Sequence, residues 1–165
     1  MAEHRLWAPW RLEYIKSDKS GDCIFCEKLA AGDDERSLIV HRGERCFVIL
    51  NAYPYNNGHV MVAPYEHTAE LESLDPNTSS ELMALAQRSL RALARAYGPD
   101  GYNLGINLGA VAGAGVEDHV HLHVVPRWKG DTNFMSVLGD TRVLPESLED
   151  SYRNLHAAFA ALEES

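Results

Sequence analysis

Apolar and polar residues alternate most regularly along Asp118-His-Val-His-Leu-His-Val-Val-Pro-Arg127. Side chains of a strand point alternately to its two faces, so this stretch predicts a strand with His119, His121 and His123 on one face. Val120, Leu122 and Val124 then face a core. Short apolar runs predict further strands at Leu38–Val40, Cys46–Leu50, His59–Pro64 and Tyr102–Leu108. The polar His41–Arg45 between the first two fits a hairpin turn, and Pro64 stops the third. Asn51–Gly58 is a loop by composition.

Helical spacing takes over at Leu82, Leu85, Ala86, Ser89, Leu90, Leu93 and Tyr97. Asp75-Pro76 supplies a start, with a side-chain acceptor followed by proline at the first helical position, and Gly98-Pro99 a stop. A last helix is expected from Pro145, with Leu148, Tyr152, Leu155, Phe159 and Leu162 along one face. A shorter helical stretch opens at Cys23-Ile-Phe-Cys26 and ends near Gly32. The small-residue run Gly109-Ala-Val-Ala-Gly-Ala-Gly115 joins the last two strands, which implies an antiparallel pair. The expectation is an α+β fold: an antiparallel sheet of about five strands, with one long helix and one C-terminal helix against it.

The totals narrow the function. A chain of 165 residues suits one domain over 1–165: an arm at 1–22, a core at 23–127, and a loop with the C-terminal helix at 128–165. The formal net charge of -9 argues against broad nucleic-acid or anionic-membrane binding. A phosphate substrate would need a locally prepared site. No run reaches transmembrane length, and the aromatic, charged start does not fit a signal peptide. A cytoplasmic protein is expected on that ground, and three cysteines, an odd count in a reducing compartment, argue against a disulfide framework. Cys46, within an apolar strand, reads as a small buried hydrophobe.

Three groups of residues carry chemistry. Cys23 and Cys26 can clamp a metal from one turn but supply two ligands; a closed zinc site needs two more, for which His67 and His119 are candidates. The pair also reads as a redox couple or as two buried thiols. His121, central in the triplet, is a candidate nucleophile: a neutral imidazole attacks well when its other nitrogen donates to a fixed acceptor. His123 and His59 are left to support it as acid or charge partner. Residues 109–115, small and glycine-rich, can bring backbone N–H groups to phosphate oxygens without altering net charge.

These residues resemble a known family. His119-Val-His121-Leu-His123-Val-Val is similar to the His-x-His-x-His-apolar-apolar signature of the histidine-triad (HIT) nucleotide hydrolases and transferases. Cys23-Ile-Phe-Cys26, Asn51, Gly58-His59-Val-Met-Val-Ala-Pro64 with His67, Asn107-Leu-Gly109 and Pro126-Arg127 stand in the family's order. Leu6-Trp-Ala-Pro-Trp-Arg, Asn51-Ala-Tyr-Pro-Tyr-Asn-Asn-Gly-His and Arg127-Trp-Lys-Gly-Asp-Thr-Asn-Phe-Met look most like the branch of diadenosine-tetraphosphate phosphorylases, or ATP adenylyltransferases. The resemblance implies a HIT-like fold and an adenine nucleotide or dinucleoside polyphosphate as substrate. His121 would be the nucleophile that takes up the nucleoside monophosphate, and His123 and His59 would complete the cluster. Asn51 matches a ribose contact and Asn107 a position near the α-phosphate. A structural zinc on Cys23, Cys26, His67 and His119 is implied, as is a homodimer with a sheet continuous across the subunit contact; Trp7, Trp10 and the last helix offer further contact surfaces.

One departure stands out. Many members carry Gly-Gln-Ser or Gly-Gln-Thr before the triad, where this chain has Gly113-Ala-Gly-Val-Glu-Asp118. Backbone groups of Gly113, Ala114 and Gly115, His119, or Asn133 and Ser136 from the later loop, would then meet the phosphates. The acceptor, inorganic phosphate or water, is left open, with branch similarity favouring phosphate. Two other classes compete: a metallohydrolase with His-x-His on a catalytic metal, and a nucleotide-binding module without turnover. Closed Cys-rich ligation argues against the first, and the complete triad against the second.

Overall fold

A computed structural model of the chain describes residues 23–131 and 146–163; the expected arm at 1–22 lies outside them, as do Asn133, Ser136 and Pro145. The elements are α1 (Ile24–Ala30), α2 (Asp34–Ser37), β1 (Ile39–Arg42), β2 (Cys46–Leu50), β3 (Val60–Pro64), α3 (Pro76–Tyr97), β4 (Gly101–Ile106), β5 (Leu122–Arg127) and α4 (Leu148–Ala161). Among the described residues the strands form one sheet in the order β1-β2-β3-β5-β4, every neighbouring pair antiparallel. No described helix is long and apolar enough to cross a membrane.

The period of two decides what each face meets. Val48 and Leu50 of β2, Val60 and Val62 of β3, and Val120, Leu122 and Val124 point to the helices, where they pack with Leu82, Leu85 and Leu93 of α3 and Leu155 and Phe159 of α4. Phe47, Ile49, Met61 and Ala63 take the opposite face and close around Phe25 of α1. This second face carries the histidines. Cys46 is fully buried as expected, and burial pushes its thiol up to about 12.

Capping sets the helix limits. The Asp75 carboxylate accepts from the N–H groups of Asn77 and Thr78, and Gly98, in the left-handed region, donates to the Ala94 carbonyl. The C-terminal helix starts at Leu148 rather than Pro145, because Ser147 supplies the cap, its Oγ accepting from Asp150 N–H at 3.1 Å. Leu38 is not in a strand: it caps α2 at φ 64°, and β1 runs two residues beyond the expected Val40. The fourth strand likewise ends at Ile106, two residues short of Leu108.

The triad strand also departs from expectation. Its ladder begins at Leu122, where Leu122, His123 and Val124 pair with Val62, Met61 and Val60. Continuing that register would set Val120 against Pro64, which has no N–H to give. The Val120 N–H instead reaches Thr68 O at 2.7 Å, and the Pro64 carbonyl is taken by the His119 ring at 2.8 Å. The alternation survives: Val120 lies in the helix-side core, and the His119 and His121 rings both pack on Phe25.

Gly58 holds the loop that delivers His59. Its φ is +77°, and a Cβ there would stand 2.9 Å from both Leu93 Cδ2 and Tyr97 Cε2. Gly58→Ala is therefore expected to cost about 2–4 kcal/mol, from left-handed backbone strain plus overpacking against α3. Urea unfolding checks it: the midpoint should fall with an unchanged slope, and an unchanged midpoint would refute the close packing.

Candidate active site and metal cluster

Chain direction and hydrogen bonds together fix which nitrogen of each histidine does what. His121 Nδ1–H donates to the His119 carbonyl at 2.8 Å, which leaves the lone pair on Nε2. The ring lines a cleft, and burial holds its pKa below the ordinary imidazole value, so it stands neutral at neutral pH. On its neighbours, the Tyr55 backbone N–H donates to His59 Nδ1 at 3.1 Å. His59 Nε2 must then carry its proton, and it meets His123 Nδ1 at 2.9 Å. His123 Nδ1 accepts, so its own proton sits on Nε2. The His121 and His123 rings are 4.8 Å apart, centroid to centroid. The arrangement sets an unprotonated nitrogen on one ring beside a ring that presents an N–H.

The cleft brings together His121, His123, Asn51, Asn107, Gly113 and Gly115. Sequence reasoning missed its apolar wall: Ile24 and Phe25 of α1, Ile49, Tyr53, Tyr55 and Val116. The signal was the aromatic character of residues 53–55, read as a loop. Asn51 Oδ1 accepts from Tyr53 N–H at 2.9 Å, which fixes the carboxamide, and Asn107 Nδ2 reaches the Gly113 carbonyl at 3.4 Å.

Two phosphate-contact expectations need correction. The Ala114 N–H is turned inward onto the Gly109 carbonyl at 3.3 Å, and Ala114 is buried outside the cleft lining. His119 does not face the cleft either: it is fully buried, with Nε2–H donating to Pro64 O and Nδ1 turned to the cysteines. Asn133 is outside the described residues.

Cys23, Cys26, His67 and His119 converge, their four ligand atoms within 4.8 Å of one another. Cys23 Sγ is 3.3 Å and Cys26 Sγ 3.8 Å from His119 Nδ1, and Cys26 Sγ is 3.5 Å from His67 Nδ1. Two thiolates at about 2.3 Å and two imidazoles at about 2.1 Å from a tetrahedral zinc would stand roughly 3.4–3.8 Å apart, so the residues fit that ion. The Pro64 carbonyl fixes the His119 tautomer that offers Nδ1 to a metal. Four protein donors meet there and the cluster lies outside the cleft lining, so an ion held by all four would sit in a closed site, unlike the open one a catalytic metal needs.

Comparison with known proteins places this geometry. A family model described as HIT domain matches residues 33–130. The AP-4-A phosphorylase of Mycobacterium tuberculosis is 40% identical over 164 residues, covering 94% of this chain and 84% of the relative. Among solved structures, a Zn-bound histidine triad family protein from Mycobacterium smegmatis superposes with a TM-score of 0.70 at 33% identity, covering 87% of this chain and 96% of that one. A hypothetical histidine triad nucleotide-binding protein from Sulfolobus tokodaii gives 0.69 at 27% identity, covering 86% and 94%. The α+β sheet, the triad and these likenesses agree: the chain belongs to the HIT domain family and is a nucleotide-processing enzyme of the histidine-triad type.

Proposed function

We propose that the protein cleaves diadenosine tetraphosphate by phosphorolysis, through a nucleotide held covalently on His121. The observation that carries this is the His121 Nδ1–H bond to the His119 carbonyl, which leaves a neutral nitrogen nucleophile on a ring lining the cleft. The likeness to an AP-4-A phosphorylase selects the substrate.

One adenosine occupies the apolar wall, its ribose near Asn51 and its α-phosphate near Asn107, Gly113 and Gly115. His121 Nε2 attacks the α-phosphorus; an N–P bond forms, the bridging P–O bond breaks, and its electron pair leaves with ATP. His123 Nε2–H donates to the phosphoryl oxygens as charge develops, its ring oriented by His59 and, behind it, the Tyr55 N–H. An oxygen of inorganic phosphate then attacks the same phosphorus, the N–P bond breaks with its pair returning to His121, and ADP departs. Covalent catalysis divides one hard displacement into two easier ones.

Cys23, Cys26, His67 and His119 hold zinc in this reading, and the ion supplies cross-linking rather than chemistry. The protein works as a cytoplasmic homodimer. The β4 edge leaves Leu104 exposed, as are Leu108 and Val111 just beyond it, and these offer the contact.

Purified protein with diadenosine tetraphosphate, with and without inorganic phosphate, tests the proposal. ADP plus ATP formed in phosphate alone is the expected result. AMP plus ATP without phosphate would make it a hydrolase. Absence of both products would end the substrate assignment.

A further inference from the structure

Past His123 the surface opens into a second groove that the reaction above leaves unused. Strand register builds its floor: Asn103 and Gly105 of β4 pair with Val125 and His123 of β5, and Arg127 follows on the same face. From His123 to Arg127 the groove runs four residues along the strand, about 13 Å. Its far end is a fixed polar array. Arg127 donates from Nε and Nη2 to the Asp131 carboxylate at 2.6 and 2.9 Å and from Nη1 to Asn103 Oδ1 at 2.8 Å. Asn56 Nδ2 donates to Asp131 at 2.8 Å. Asp131 is only 10% exposed on its side chain.

Two features say what could lie there. Tyr55, Asn107 and His123 line both this groove and the nucleotide cleft, so one ligand can run from the first into the second. His121 lines the first cleft and not the second, so the groove is left for the part of the ligand that is not attacked. The far end pairs one guanidinium with one carboxylate. It offers donors and acceptors but no net charge, which suits the hydroxyls and ring nitrogens of a nucleoside better than a phosphate.

We propose that this groove is a second nucleoside site: it receives the far nucleoside of a dinucleoside polyphosphate, with Arg127, Asp131 and Asn103 meeting its ribose or base. The inference rests on the proposed attack by His121, and it makes Arg127 a specificity residue that distinguishes dinucleotides from mononucleotides.

Binding tests it independently of turnover. In protein silenced by His121→Asn, calorimetry gives Kd for diadenosine tetraphosphate and for ATP, which lacks the second nucleoside. The dinucleotide is expected to bind at least about tenfold tighter, as the loss of one or two good hydrogen bonds would imply. Adding Arg127→Met should erase that difference and leave the ATP value within about twofold. Asn103→Leu, at an exposed strand position, should shrink it and serves if the Arg127 variant fails to fold. Equal affinity for the two ligands, or variants that weaken both alike, would overturn the assignment. Failure of the reaction itself would appear elsewhere, as no turnover of diadenosine tetraphosphate by unaltered protein supplied with phosphate.

Discussion

His121→Asn is expected to lower kcat for diadenosine tetraphosphate by at least about 10⁴-fold, some 5 kcal/mol of transition-state stabilisation, because it removes the one ring, among the described residues, whose tautomer presents a lone pair to the cleft. Its neighbour cannot take over. His123 Nδ1 already accepts from His59, and its Nε2 holds the proton, so it offers a donor where the reaction needs a nucleophile. Binding should survive, since the apolar wall and Asn51 are untouched, and AMP should bind within about threefold of the unaltered protein. Labelled substrate gives the sharper readout. Unaltered protein quenched in acid-free denaturant, without phosphate, should retain label from the adenylate half; the variant should retain none. Label on the variant, or turnover within about tenfold of normal, would remove His121 from the nucleophile's place. The ring is nearly fully buried, so circular dichroism of the variant must first match that of the unaltered protein.

How much of this was legible in the chain varies with the range of the interaction responsible. The long helix could be read to the residue, since Asp75, Pro76 and Gly98 act on backbone groups within four residues of themselves. The apolar strands Cys46–Leu50 and, from Val60 on, His59–Pro64 were legible because β2 and β3 are buried on both faces and need an unbroken apolar run. The start of β5 was not legible. Whether His119 to His121 join the ladder depends on Pro64, 55 residues earlier, which withholds an N–H and gives its carbonyl to the His119 ring.

The site divides the same way. That His121 and His123 share a face follows from alternation, and the convergence of Cys23, Cys26, His67 and His119 was proposed from residue types. Which nitrogen carries each proton was not readable. It depends on the Tyr55 N–H, and no spacing rule places that group behind His59. The inward turn of Ala114 is equally hidden, because it follows from the short helical turn Ala110–Ala112 rather than from the smallness of the residues. Arg127 entered the sequence reading as the end of a strand and the start of a family-like stretch, with no role of its own; its partner Asp131 lies four residues on, beyond a turn that brings it back.

Metal removal should show up in stability and in nucleotide affinity, with chemistry spared. Protein as purified is expected to hold one zinc per chain, bound by Cys23, Cys26, His67 and His119. Stripping it with a chelator should lower Tm by about 10–15 °C, the shift that a loss near 4 kcal/mol produces in a chain of this size. The reason is local. α1 has seven residues, too few to hold as a helix alone. It is fastened by Phe25 packing and by the two cysteines that flank that ring, which ties the metal cluster to the cleft. Phe25 packs at a steep angle on both the His119 and the His121 rings, 5.1 Å from each between centroids, and with Ile24 it lines the nucleotide cleft. Releasing the cysteines frees that wall, so KM for the nucleotide should rise several-fold while kcat, measured well below the lowered Tm, stays within about threefold. Cys26→Ser should reproduce both effects and bind zinc weakly or not at all. Cobalt in place of zinc should give the visible absorption of a tetrahedral thiolate site. A stripped protein with unchanged Tm and no turnover at any temperature would invert the assignment, making the ion part of the chemistry; a protein that never carries metal and melts as high as the untreated one would leave the four residues as a thiol–imidazole cluster held by packing alone.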